Sequence, residues 1–185
     1  MRGRVIIWIV LAVCMVSCKK TTIQPKSTFP TEYSSVWEVR YGKCYDSIPY
    51  QVVALDIYSD GLSLDTAENR MTGTGYNLYI SDIFVTNDTL AAGTYRSLSP
   101  SDMTPQPFTF TPGRDFEGTP DGIYLLRVEN GKLQSIQVLD SGSFVMRQVS
   151  GDIKELQFTL YYSTSEKKKN TYECHYQGPF SWQKK

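Results

Sequence analysis

Residues 156–162 read LQFTLYY and show the clearest alternation of apolar and polar side chains in the sequence. Successive side chains of a β-strand point to opposite faces, so this segment has one apolar and one more polar face. The apolar face carries Leu156, Phe158, Leu160 and Tyr162. This pattern predicts a strand over 154–163 that packs one face on a core and leaves the other in water.

The rest of the chain after the first 35 residues has the same character. Aromatic and β-branched residues form short runs, and Gly, Pro, Asn and Asp separate them about every ten residues, as in sandwiches and barrels. Besides 154–163, the predicted strands are 36–41, 50–58, 76–81, 93–97, 108–111, 122–129, 133–139, 143–149 and 171–177. The sequence therefore predicts an all-β domain, a single antiparallel β-sandwich or partly closed barrel of about ten strands.

The connections also carry information. Asn130-Gly131 is a hairpin signal, and Gly142 and Gly151 stand where a positive φ is expected. Tight turns of this kind predict that the strands on either side of each turn pair as antiparallel neighbours. The best candidate for a helix is 65–71 (DTAENRM), inside a predicted long loop over 59–75. Five prolines between 99 and 120 predict an edge or an extended crossing between sheets.

The N-terminus has the features of an export signal. Arg2 and Arg4 precede the apolar run 5–13 (VIIWIVLAV), which is too short to span a bilayer, and 15–18 read MVSC. The MVSC ending resembles the lipobox of bacterial lipoproteins, which implies lipidation of Cys18. We therefore expect a signal peptide over 1–17, a lipid anchor and flexible tether over 18–35, and the β domain over 36–185.

Charge and cysteine content narrow the classes of partner. Removing Arg2 and Arg4 with the signal leaves 17 basic residues against 19 acidic ones, which gives no basic surface for nucleic acid. Cys44 and Cys174 remain as thiols. In an exported protein they form a candidate disulfide, the alternative being two unpaired cysteines that pack as small apolar residues.

The order of several short blocks resembles the small uncharacterised lipoproteins of Bacteroidota. These blocks are 41–42 (YG), 92–95 (AGTY), 111–113 (TPG), 122–125 (GIYL), 139–145 (LDSGSFV) and 176–180 (YQGPF). The resemblance implies an all-β, sandwich or calycin-like envelope domain and supplies no active site. Such proteins reach the cell surface with an acidic tract after the lipidated cysteine. Lys19 and Lys20 stand there instead, which favours an outer-membrane anchor facing the periplasm and leaves surface exposure open.

Catalytic and metal-binding patterns are absent from the sequence. His175 is the only histidine, and its neighbour Cys174 would point to the opposite face of a strand. Carboxylates that could pair for glycoside cleavage are scattered: Asp56, Asp60, Asp65, Glu68 and Asp82. The acidic residues of 112–122 (PGRDFEGTPDG) lack the spacing of a calcium loop. No catalytic residue, metal or cofactor is predicted.

Tyrosine is the remaining lead, since the chain has 13. Outward rings can stack on sugars or anchor a protein, and the candidates are Tyr161, Tyr172, Tyr176 and Trp182. The prediction is a non-catalytic, lipid-anchored envelope protein that acts as a binding or structural accessory module, with a glycan or an envelope protein as its ligand. The alternatives are a calycin-like carrier of an apolar ligand, which requires an internal cavity, and a divergent hydrolase, which requires carboxylates converging with His175.

Overall fold

The computed structural model of the protein describes residues 29–185. The predicted signal peptide, Cys18 and the first part of the predicted tether lie outside the described residues. Fourteen strands make up the described chain. The first seven are β1 (Ser35–Gly42), β2 (Gln51–Tyr58), β3 (Leu62–Asp65), β4 (Arg70–Gly73), β5 (Gly75–Val85), β6 (Gly93–Ser97) and β7 (Thr109–Phe110). The others are β8 (Arg114–Phe116), β9 (Thr119–Asp121), β10 (Ile123–Glu129), β11 (Lys132–Val138), β12 (Ser141–Ser150), β13 (Ile153–Ser163) and β14 (Lys169–Lys184).

Eight of the strands close into a barrel. Their order is β5-β2-β1-β14-β13-β12-β6-β7, and β7 pairs back onto β5 through Ile83 and Phe110. The β1–β14 and β6–β7 pairs are parallel and the other neighbours are antiparallel. The predicted all-β class is confirmed, and of the two architectures left open the structure has the barrel.

Alternation along each strand decides what fills the barrel. The predicted apolar face of β13 points inward, and Phe158 is paired with Phe144 of β12 and Cys174 of β14. Phe144 lies at the centre of a group of rings, with centroids 4.6 Å from Tyr95, 5.5 Å from Phe110 and 5.4 Å from Phe158. Side chains therefore fill the interior, as in other small barrels.

A carboxylate also lies on the inner wall. Glu38 of β1 is paired with Leu55 and is fully buried. Its carboxylate accepts hydrogen bonds from the Arg40 Nε at 2.7 Å and the Thr89 hydroxyl at 3.1 Å, and the Lys154 Nζ lies 4.0 Å away. Burial of this charge is tolerated because two cations and a hydroxyl compensate it.

Three hairpins lie outside the barrel order, namely β3–β4, β8–β9 and β10–β11. β10 pairs with the first half of β5 and carries β11 as an edge, with Asn130 and Gly131 both at positive φ in the predicted turn. β3 and β4 pair with each other inside 59–75, so the long loop predicted there is wrong, and 65–71, the best candidate for a helix, forms part of this hairpin instead. The Asp65 carboxylate accepts hydrogen bonds from the backbone amides of Ala67 and Glu68. These bonds close a turn instead of starting a helix.

The folded part begins earlier than predicted. Tyr33 is buried, and its hydroxyl lies 2.6 Å from that of Tyr172, which donates to the Pro30 carbonyl at 2.7 Å. The Phe29 ring packs 5.4 Å from both Tyr162 and Tyr172. The boundary between tether and domain at 35/36 is therefore corrected, because residues 29–35 belong to the barrel.

Within residues 29–185 there is no helix of the length and apolar character needed to cross a bilayer.

Candidate functional site

A cleft of about 360 Å³ lies on the outer wall of the barrel. Its floor is the outward face of β1, β2, β5 and β10, which are neighbours in the sheet although β10 is distant in sequence. The β3–β4 hairpin covers one side with Leu64 and Met71, and the C-terminal residues Gln183 and Lys185 cover another. The volume is within the range of small-molecule sites.

Four tyrosines dominate the floor of this outer cleft. The rings of Tyr79 and Tyr124 lie side by side, with centroids 4.9 Å apart and planes tilted by 31°. Tyr41 is hydrogen-bonded to the Tyr79 hydroxyl, and Tyr58 is buried at the edge of the cleft. These residues come from four strands, and their register places the rings together: Tyr124 pairs with Tyr79, and Tyr79 with Asp56.

Asp56 is the only acidic residue among those that line the cleft. Its carboxylate accepts a hydrogen bond from the Asn77 amide at 3.3 Å and another from the Tyr58 hydroxyl. Burial raises its pKa to about 6, even though these two hydrogen bonds and the Lys185 ammonium stabilise the charged form. A carboxylate held partly out of water beside open space can accept hydrogen bonds from a ligand.

The hydroxyls of Tyr58, Tyr79 and Tyr124 remain protonated at neutral pH because the pKa of each is raised. Burial is the main cause, and it raises the pKa of Tyr124 to about 12 and those of Tyr58 and Tyr79 still further. The charge of Asp56 adds to the shift in all three cases. Each ring therefore offers an apolar face and a hydroxyl that can donate or accept a hydrogen bond.

Asp56→Asn is expected to stabilise the folded protein at pH 7 by about 1 to 2 kcal/mol. The folded pKa of Asp56 lies above that of the unfolded chain, so folding favours the protonated acid, and this contribution is lost as the pH rises through about 6. Urea unfolding at pH 7 and pH 4 checks this. The advantage of the variant should disappear at pH 4, and a variant less stable than the wild type at pH 7 would contradict the prediction.

The four aromatic residues predicted to bind a ligand lie in different environments in the structure. Tyr172 and Tyr176 point into the barrel and are only 1% and 2% exposed, so their assignment to a binding face is wrong. Tyr161 is half-buried on the outside of β13 beneath the Lys169 ammonium. Trp182 is 59% exposed and packs 4.7 Å from the Arg40 guanidinium. None of the four lines the outer cleft.

The candidate disulfide is not formed. Cys44 is exposed in the connection after β1, Cys174 is buried on the inner face of β14, and both are free. Burial raises the pKa of the Cys174 thiol to about 12, which makes it a poor nucleophile. Cys174 thus packs as a small apolar residue, as the alternative predicted for both cysteines, whereas Cys44 is exposed and does not.

His175 lies on the outside of β14, opposite Cys174 in direction as the strand geometry predicts. Its Nδ1 lies 3.0 Å from a Glu32 oxygen and its Nε2 3.4 Å from a Glu155 oxygen. Both ring nitrogens thus face carboxylates, and the contact with Glu32 ties the first residues of the domain to β14. No group of three or more His, Cys, Asp or Glu residues within 29–185 could hold a metal ion.

The cleft residues were not selected from the sequence, apart from Asp56 among the scattered carboxylates. One signal was present. The run 52–58 (VVALDIY) is apolar on both faces, which is typical of a strand covered on both sides, and Asp56 interrupts the outer one. Comparison with protein-family models, with curated proteins and with solved structures gives no match.

Proposed function

We propose that this protein is a lipid-anchored, non-catalytic binding protein of the bacterial cell envelope, and that it holds a glycan in the outer cleft. The observation that carries the proposal is the combination of the Tyr79–Tyr124 pair with the hydrogen-bonded pair of half-buried Asp56 and buried Asn77 beside open space. The N-terminal pattern ending in Cys18 supports the lipid anchor. The proposed location is the outer membrane, with the domain facing the periplasm.

The chemistry of the cleft matches that of a sugar. A pyranose ring presents C–H groups on its faces and hydroxyls around its edge. The flat rings of Tyr79 and Tyr124 can contact such a face, while Asp56 and Asn77 supply an acceptor and a donor for neighbouring hydroxyls. The phenol hydroxyls of Tyr41 and Tyr58, which also line the cleft, add further hydrogen-bonding groups.

The barrel interior supports a carrier of an apolar ligand less well than the outer cleft supports a glycan-binding protein. The ring stack around Phe144 occupies the centre, and the described cleft lies on the outside of the wall. Glu32 and Glu155 do converge with His175, as a divergent hydrolase requires, but they occupy both ring nitrogens, so neither nitrogen is free to take a proton from a substrate. The outer cleft combines open volume, aromatic faces and a partly buried polar pair, so it is the stronger candidate.

Tyr79→Ala is expected to weaken oligosaccharide binding at least about tenfold, which corresponds to about 1.4 kcal/mol. The reason is the loss of the ring that pairs with Tyr124 and positions the hydroxyl of Tyr41. Isothermal titration of the full-length chain with cello-, xylo-, manno- and chito-oligosaccharides of three to six units identifies a binder and then compares the variants.

The matched control is Tyr161→Ala, which also removes a half-buried tyrosine from an outer face but on β13, away from the cleft. It should leave the affinity within about twofold, and Tyr79→Phe should fall between the wild type and Tyr79→Ala. Equal losses for Tyr79→Ala and Tyr161→Ala, or no binding of any of these oligosaccharides to the wild type, would contradict the proposal.

A further inference from the structure

The C-terminal residue of the chain lies in the outer cleft. Lys185 lines the cavity, and its ammonium lies 5.7 Å from the centroid of the Tyr41 ring. The Lys185 amide donates to the Arg40 carbonyl at 3.0 Å, which continues the pairing of β14 with β1 and fixes where the side chain starts. An ammonium group thus already occupies part of the cleft.

On the basis of the proposed glycan function, we infer that the cleft selects sugars that carry a free amine and that Lys185 holds the position of this amine in the unliganded protein. The Lys185 ammonium contacts the face of Tyr41 and stabilises the charge of Asp56. A glycan amine can make the same two interactions, with a carboxylate and with aromatic faces.

The other charges around the cleft are compatible with a cationic ligand. Arg70 also lines it, but its guanidinium is paired with the Glu68 carboxylate at 2.7 Å, so its charge is compensated. Asp56 carries the one side-chain carboxylate among the residues that line the cleft. The groups that act on the Asp56 charge are Asn77 and Tyr58, which donate hydrogen bonds to it, and the Lys185 ammonium, which attracts it.

A neutral sugar can use less of this site. A hydroxyl or an N-acetyl group can donate a hydrogen bond to Asp56, but it gains neither the charge attraction to the carboxylate nor the attraction of a cation to the ring faces. Because the carboxylate is partly shielded from water, the difference between charged and neutral ligands is larger than it would be on an open surface. The cleft should therefore discriminate by charge more than by sugar stereochemistry.

Two trimers of the same length test the inference: the β-1,4-linked trimer of glucosamine and its fully N-acetylated counterpart. Isothermal titration of the full-length protein at pH 7 and low salt should give an affinity at least tenfold higher for the amine trimer. Asp56→Asn should reduce this preference to about twofold or less. Lys185→Gln should strengthen binding of the amine trimer severalfold, because the competing ammonium is gone.

Lys184→Gln is the control, since it removes the same charge from the neighbouring residue, which does not line the cleft. It should change the affinity for the amine trimer by less than twofold. Equal or tighter binding of the N-acetylated trimer would overturn the inference and leave the proposed function standing, whereas no binding of either trimer or of the other oligosaccharides would overturn both. Equal effects of Lys185→Gln and Lys184→Gln would show that Lys185 holds no ligand position.

Discussion

Glu38→Ala is expected to destabilise the folded protein by about 3 to 5 kcal/mol, measured by urea unfolding of the full-length chain at pH 7. The substitution removes the carboxylate that accepts from Arg40 and Thr89 and leaves the cations of Arg40 and Lys154 without their common partner. Both cationic side chains are about one-fifth exposed, so water compensates them only in part.

An exposed ion pair is the matched control for this effect. Glu68 and Arg70 are also 2.7 Å apart, but more than half of each side chain is in water. Glu68→Ala should therefore change the stability by no more than about 0.5 kcal/mol. Glu38→Gln keeps an acceptor for the Arg40 Nε and should cost less than Glu38→Ala. If Glu38→Ala and Glu68→Ala had equal effects, the buried network would not contribute to the stability of the barrel.

Cys18→Ser is expected to move the protein from the membrane fraction to the soluble fraction. Lipoproteins of the type implied by the MVSC pattern carry more than one acyl chain on this cysteine, enough for stable anchoring where a single chain is marginal. Cell fractionation of the producing bacterium, with mass spectrometry of the mature N-terminus, checks the change. In the wild type, the mass should correspond to an N-terminal acylated Cys18.

Cys14→Ser provides the comparison for the anchor. Cys14 lies in the apolar part of the predicted signal, four residues before Cys18, so its substitution should leave both the location and the mature mass unchanged. An unprocessed and unacylated N-terminus in the wild type would contradict the lipid anchor. The same result would not test the glycan site in the outer cleft.

The strands were predictable because their pattern is local. Alternation in residues 156–162 identified β13, and the Asn130-Gly131 pair located the β10–β11 turn. No helix forms over 65–71, the best candidate segment, because a turn closed by Asp65 between two short strands satisfies the backbone groups instead. The end of the tether was placed too late because Phe29 and Tyr33 gain their partners only from the far end of the chain.

The aromatic residues predicted to bind a ligand show a different limit of prediction from sequence. In 171–177 (TYECHYQ), polar residues alternate with Tyr172, Cys174 and Tyr176, so the period already placed both tyrosines on the apolar face. The abundance of tyrosine was given more weight than this alternation. Composition predicts that some rings are exposed, whereas the strand period decides which ones.

The cleft itself depends on long-range strand order. Tyr41, Asp56, Tyr79 and Tyr124 lie on four strands, and β10 meets β5 only after four intervening strands of the chain. Local patterns do not specify this neighbour, and a change of one residue in register would turn the rings inward. The buried interruption of an apolar strand by Asp56 was the local signal that pointed to the outer wall.

The most direct measurement is the two-dimensional amide spectrum of the full-length protein during titration with the glucosamine trimer. We expect the shift changes to concentrate at the residues around the outer cleft, namely Tyr41, Asp56, Asn77, Tyr79, Tyr124 and Lys185. Changes concentrated at Tyr95 and Phe144 inside the barrel, or around His175 on β14, would contradict the account, because the ligand would then occupy another part of the molecule.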